Sequence, residues 1–557
     1  MVSAKPSAST SGLRKDTLLS RRYIEGQIAE GKHILIYDDR VLKVDAWIPF
    51  HPGGDKSIKH MVGRDATDEI NALHSKEARQ RMLSFQIGRI QGPWLNFLPP
   101  IQGGKFRPCT QESLSSDEDS SSYEHSRPPS PIFEPQETPG LRRRKSSSTD
   151  TSVSTPPNQA FEPKPFFLDA RTQEEIVFDT AKYPSLDTEN QENIKRKYRE
   201  LDQRIRDEGL YQCNYFSYFI EACRYTLFAA LSYLFLRLGW YGTSGFFLGC
   251  FWHQLVFTAH DAGHMGITHH FHVDTVIGVI IADYLGGLSL GWWKRNHNVH
   301  HIVTNAPEHD PDIEHMPFFA ISHRFLTNLR STYYERIMYL DAAAKVLLKY
   351  QHYLYYPILL FGRFNLYRLS WEYLLLGQAP KKGPAWWHRW FEIAGQIFFW
   401  TWFGYGILYC TIPTWSGRLS FLMISHMVTA PLHVQITLSH FAMSTADLGV
   451  HESFPQKMLR TTMDVDCPTW LDFFHGGLQF QAIHHLYPRI PRHNLRRTQK
   501  LVLDFCRDTG IPYAIFTFYD GNKEVISRLG DVAKQLRLLE ECRKSCAEEG
   551  VFSDHHH

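Results

Sequence analysis

Four apolar stretches, at roughly 214–239, 240–259, 391–412 and 417–443, each come close to the length that crosses a hydrocarbon core. They fall into two tight pairs. A chain that crosses a bilayer in two hairpins returns to its starting side each time, so the polar segments around them share one face. The mean hydropathy of −0.33 would by itself describe a soluble protein, but one long Ser/Pro-rich segment pulls that average down. Arg224 and Arg237 are placed to lie near an interface, whereas His426 and His433 must face the protein interior, away from lipid tails. The run TVIGVIIADYLGGLSLG, 275–291, is short and carries Asp283. Residues 353–377 mix Arg363, Arg368 and Glu372 with aromatics, which predicts a helix lying in the interface.

A length of 557 residues implies more than one folding unit. Residues 1–16 read as a disordered tail. MVSAKPSASTSGLRKD lacks the apolar core of a secretory signal, so insertion is expected to use the internal stretches. Residues 17–100 read as a compact α+β unit, with strand-like HILIYDDRVLKV, then HPGG, then helical stretches. From 103 to 165 the chain is rich in Ser and Pro and poor in large apolar residues, which predicts a disordered linker, with RRRKSSS at 142–148 as an exposed basic run. Residues 190–510 are expected to form an all-α membrane domain of about four transmembrane helices, opened by a charged surface helix at 190–209, with 511–557 as a soluble C-terminal segment. The formal net charge of +2 points to no nucleic-acid partner. Nine scattered cysteines without a CxxC pair predict free thiols.

Histidines cluster beside the apolar stretches. HDAGH places His260 and His264 at i and i+4, on one helix face. HNVHH repeats the spacing with His297, His300 and His301, and QAIHH supplies His484 and His485 with Gln481 three residues before. Neutral imidazole is a good ligand for iron, copper or zinc. One such pair is as easily a packed core feature as a metal site, but three at predicted membrane boundaries are not. Seven imidazoles on one face exceed what a single tetrahedral zinc can use, so two adjacent metals are the economical reading.

HDAGH, HNVHHxxxNxxxxDPD and QxxHH resemble the three histidine boxes of the membrane fatty-acid desaturase superfamily, a family of di-iron enzymes, over about residues 210–500. The resemblance includes Asn305, Asp310 and Asp312 and implies His440, in TLSHFAM, as a further ligand. Gln481 stands where the third box usually has its first histidine, as in front-end desaturases. An amide oxygen is a weak ligand, so Gln481 is expected to act through water. His253, His269, His270, His272, His309 and His475 fit no box position and are expected to be structural or to support the ligands from outside.

WIPFHPGGDKSIKHMVGRDATDEINALHS, 47–75, resembles a cytochrome b5 domain, which implies His51 and His74 as the two axial ligands of haem b. Two strong-field imidazoles leave iron six-coordinate, suited to carrying electrons and not to binding oxygen. Ile70 stands where Phe is common, and His33 and His60, outside the motif, are expected to be solvated.

The combination implies an oxidoreductase in which two non-haem irons use O2, the fused haem supplies electrons singly, and a tether raises the donor's local concentration. An NADH-cytochrome b5 reductase is the implied upstream partner. The family also implies a multi-pass endoplasmic-reticulum protein with haem module and histidine boxes facing the cytosol. With the Ser/Pro insertion, the whole resembles the fungal Δ8 sphingolipid desaturases, which act on the long-chain base of a ceramide and usually give a trans double bond. A front-end Δ5/Δ6-type acyl desaturase, a b5-fused fatty-acid hydroxylase and a non-enzymatic haem adaptor are the alternatives.

Overall fold

The computed structural model describes residues 15–97, 104–107, 132–135 and 166–548. The N-terminal tail up to residue 14, the basic run 142–148, most of the 103–165 linker and the C-terminal DHHH lie outside these. Within the linker, Gly104–Arg107 and Ile132–Pro135 pair as antiparallel strands.

The N-terminal module is built on a sheet in the order Leu18–Leu19, Gln86–Ile90, Arg40–Lys43, Ile34–Tyr37. Tyr37 pairs with Arg40 across the two-residue turn Asp38-Asp39. Both aspartates have positive φ, 50° and 61°, the twist that suits a tight hairpin. The period of two then divides the strand. Ile34 and Ile36 pack with Ile24, Ile28, Val41, Val62 and Phe97. Leu35 and Tyr37 face the other way, into a cluster with Leu42, Ile58, Met61 and Ile70 that also contains Val299, Ile302, Val303 and Tyr333 of the membrane domain. One core therefore serves both units.

The helix Thr188–Asp207 is capped by Asp187, whose side chain accepts from Asn190 N. It is not wholly solvated: Ile194, Tyr198, Leu201 and Ile205 bury one stripe in a cluster shared with Leu501 and Phe505. Tyr215–Arg237 has the reverse pattern. Glu221, Tyr225 and Ser232 are buried, while Phe216, Phe219, Ile220, Leu227 and Leu234 are exposed, as lipid contact requires. The neighbouring helix Tyr241–Gly263 approaches Trp415–Met427 through GFFLG. A Cβ on Gly245 would lie 2.7 Å from Phe421 O, and one on Gly249 2.8 Å from Ser425 O. Small residues four apart let the two backbones close on each other.

Among the described residues, two helices are long and apolar enough to cross a membrane, Tyr215–Arg237 and Trp415–Phe441. Phe271–Leu285 and Leu290–Val303, bent by 116°, would together make a third. The expected span at 391–412 splits into an α-helix, His388–Phe399, and a π-helical stretch, Trp400–Thr411. The 417–443 stretch breaks between Met427 and Ala430, where Pro431 starts a new helix. The 353–377 segment is likewise two helices, Gln351–Leu359 and Gly362–Leu375. Its Arg363 is not interfacial but buried, with its guanidinium 4.1 Å from the Trp252 ring. His426 does face inward, 3.2 Å from Tyr367 Oη, and His433 packs on Gly362. The C-terminal helix Phe518–Glu548 lies against the membrane domain, burying Val525, Leu529, Val532, Leu536 and Leu539 in a cluster with Leu348, Tyr355 and Leu438.

Candidate functional site

The box histidines arrive from four helices. Tyr241–Gly263 carries His260 in its last turn and ends on His264. Leu290–Val303, started by Ser289 whose side chain accepts from Trp292 N, carries His297, His300 and His301. Gln481–Leu486 carries His484 and His485, and His440 closes Ala430–Phe441. Ligand atoms of His260, His264, His297 and His484 all lie within 4.8 Å of one another, and those of His300, His440 and His485 form a second such group. His301 sits between them, its ring centroid 4.9 Å from His264, 4.8 Å from His484 and 4.3 Å from His485. The structure thus brings all eight histidines into one two-lobed cluster.

That cluster suits a pair of metal ions. His264 Nε2, His301 Nδ1, His440 Nδ1, His484 Nε2 and His485 Nε2 are buried without a hydrogen-bond partner among the described residues. Each orphaned nitrogen would cost about 1–3 kcal/mol unless something else satisfied it. Burial, then the surrounding imidazoles, pushes the pKa of His484 and of His485 well below the usual histidine range, which keeps their lone pairs free.

A layer of carboxylates and amides fixes the rings. His300 Nδ1 lies 2.9 Å from Asp310 Oδ2, and Asp310 also accepts from Asn305 N at 2.8 Å and Asp312 N at 2.9 Å. This leaves His300 Nε2 for the cluster. His297 Nδ1 is 3.5 Å from Asp312. Asn305, in the left-handed region at φ 56°, donates through Nδ2 to His440 O at 2.8 Å. Asp261, inside the first box, is held by Arg492 and Tyr218. Trp293 stacks on His297 with centroids 4.6 Å apart, a contact that nothing in the box spacing announces. Gln481 opens its helix buried, and among the described residues no hydrogen bond fixes its amide. His253 and His475 lie outside the cluster, His253 stacked on Phe474 and His475 bonded to Gln435. His269 bonds Met265 O and Tyr211 O, while His272 lies by Trp387.

In the N-terminal module, His51 follows Ile48–Phe50 and His74 caps Thr67–Leu73. Their ring centroids are 6.0 Å apart, which leaves room for one metal at about 2 Å from a nitrogen of each ring. His51 Nδ1 is 2.7 Å from Gly54 O and His74 Nδ1 is 3.2 Å from Ile70 O. With Nδ1 engaged, each ring keeps Nε2 free to hold a metal. Burial, then the other ring, lowers His74 to about 3.

The module is seated on the second-box helix. A Cβ on Gly53 would fall 2.6 Å from Asn298 Nδ2 and 2.9 Å from His51 Cε1, so Asn298 stands directly beside the His51 ring. Arg295 bonds Asp55 at 3.0 Å, Arg199 bonds Asp68 at 2.8 Å, and Lys56 pairs with Glu335. His60, expected to be solvated, is fully buried in this contact. It bridges Lys56 O and Thr332 Oγ1, and His309 reaches the same hydroxyl at 2.9 Å. His33 is half-buried and bonds Asp45.

A buried polyhistidine cage among apolar helices, with a bis-imidazole crevice seated against it, defines a membrane-bound metal oxidoreductase with its own electron-carrying module. The chain belongs to the fatty acid desaturase family: that family's model matches residues 238–517, and the model of the cytochrome b5-like haem/steroid binding domain matches 24–91. It is 80% identical to a Delta 8-(E)-sphingolipid desaturase of Emericella nidulans over 97% of this chain and 99% of that one. Proteins of the same description from Kluyveromyces lactis and Candida albicans are 50% and 45% identical, over 97% and 95% of this chain and 96% and 98% of theirs. A Delta(8)-fatty-acid desaturase of Helianthus annuus is 35% identical over 62% of this chain and 75% of its own length.

Proposed function

We propose that this chain introduces a trans double bond at the Δ8 position of the long-chain base of a ceramide or related sphingolipid. The observation that carries the reading is the likeness to Delta 8-(E)-sphingolipid desaturases along nearly the whole chain, haem module included. Converting CH2–CH2 to CH=CH while O2 becomes two waters takes two electrons and two protons beyond what the substrate gives up. Bound iron would supply the oxidant that no side chain can. His260, His264, His297 and His484 would hold one ion; His300, His440 and His485 the other, with His301 between the lobes. Gln481 serves through a water. Asp310 holds His300 in the tautomer that leaves Nε2 for metal, and His51 and His74 would hold the haem iron.

Four crossings fit this arrangement: Tyr215–Arg237, Tyr241–Gly263, the 388–411 helix and the broken Trp415–Phe441. They leave the cluster and the haem module on one side, which we assign to the cytosolic face of the endoplasmic reticulum, where an NADH-cytochrome b5 reductase can reach the haem.

Expression in a host whose long-chain bases lack this unsaturation tests the reading. Base profiling is expected to show a new Δ8-trans species. New double bonds confined to fatty-acyl chains would favour the front-end acyl desaturase instead, and hydroxylated chains the hydroxylase. His297→Ala is expected to abolish the product while haem absorbance stays; residual activity at the wild-type level would remove the di-iron assignment.

A further inference from the structure

Two cations of the membrane domain close to the haem crevice make no ion pair among the described residues. Arg489, four residues after the third box, is 8% exposed. Its Nε is buried and unbonded, and no carboxylate among the described residues pairs with the guanidinium. Lys294, on the second-box helix beside the Arg295 that bonds Asp55, is half-buried over the Phe271 ring at 5.6 Å and likewise has no ion pair among the described residues. Both come close to the crevice by their place in the fold. Lys294 stands one turn before Asn298 on the same helix face, and Asn298 is beside the His51 ring. Arg489 lies between Tyr487 and Ile490, which pack in one cluster with Ala72, two residues before His74. The two also lie within each other's field.

A buried, unpaired guanidinium is costly, and a second cation close by adds repulsion; both features persist in a fold only where an anion belongs. The carboxylates nearby are already engaged or lie out in solvent. Asp55 bonds Arg295 and Lys59, Asp68 bonds Arg199 and Glu335 bonds Lys56. Asp274, the carboxylate that acts on Lys294, accepts from Thr268 and from His269 N. Glu77, which acts on Arg489, makes no ion pair with it among the described residues. Haem b carries two carboxylate side chains. We propose that Lys294 and Arg489 complete the haem site from the membrane domain, as the cationic partners of the two haem carboxylates. The haem is then clamped between the two units: iron by the N-terminal module, carboxylates by the membrane domain. This rests on reading His51 and His74 as the axial pair.

The test uses the full-length protein in detergent and follows haem transfer to excess apomyoglobin. Lys294→Gln and Arg489→Gln are each expected to lose haem about tenfold faster, the worth of one charge-assisted hydrogen bond, and the double variant faster still. Lys294→Arg should stay at the wild-type rate. The haem midpoint potential of the double variant should fall, because two fewer positive charges favour the ferric state. Reconstituted with haem dimethyl ester, which lacks the carboxylate charges, wild type and variants should lose the cofactor at one common fast rate. Equal loss rates and equal potentials for haem b in wild type and the double variant would overturn the proposal, as when the two cations serve a lipid phosphate. Wild-type protein without a low-spin bis-imidazole spectrum would instead overturn the axial assignment. Non-haem iron content shows whether Arg489→Gln has folded, and Lys294→Gln carries the test alone if it has not.

Discussion

Asp310 accepts from the His300 ring and from two backbone amides, so it sets both the tautomer of one ligand and the turn after the second box. Asp310→Asn is expected to weaken non-haem iron binding about 10–100-fold while haem content is unchanged, as measured by metal analysis after dialysis against a chelator. His51→Ala should remove the haem spectrum and most desaturation, with non-haem iron retained. The histidines of the three boxes were legible in the sequence because i, i+3 and i+4 spacing is a local property that survives folding, whereas His440, His51 and His74 were reached only through the resemblance to family motifs. His60 was not. Its burial comes from Thr332 and His309, more than two hundred residues away in sequence, and no local pattern carries that. The unpaired state of Arg489 is invisible for the same reason.

Among the elements, GFFLG packs closely against Trp415–Met427, where Gly249 leaves no room for a side chain. Gly249→Leu is expected to destabilise the detergent-solubilised protein by about 1–3 kcal/mol or more, read as a lower midpoint of thermal inactivation, because the clash is with Val428 Cβ and Ser425 O, neither of which a rotamer change can move. Helix positions were readable from apolar runs, but their continuity was not. Pro431 marks the break in the 417–443 stretch and was open to view in the sequence. The π-helical turn at Trp400–Thr411 has no such mark; extra residues per turn leave composition and hydropathy untouched. The inward polar stripe of Tyr215–Arg237 was not read from the sequence: Arg224, expected near an interface, donates to Gln254 of the next helix, and Glu221 is buried against Arg492.

For the whole molecule, the decisive feature is the single apolar cluster formed by Leu35, Leu42, Ile58 and Met61 of one unit with Val299, Ile302 and Val303 of the other. Sequence could place the two units and the stretch between them, but not their seating, because the contact is made of short patches scattered over both. Deleting residues 1–100 is expected to do more than remove a donor. It would uncover these valines and isoleucine on the very helix that bears His297, His300 and His301, and the truncated protein should lose non-haem iron as well as haem, measured on the purified material.

Seating the electron carrier so firmly also closes a door. A soluble haem protein arriving from solution finds Asn298 and Arg295 already covered by the chain's own glycine turn and Asp55. A defect such as His51→Ala should therefore resist rescue by added carrier, since the disabled resident still occupies the berth that the newcomer needs.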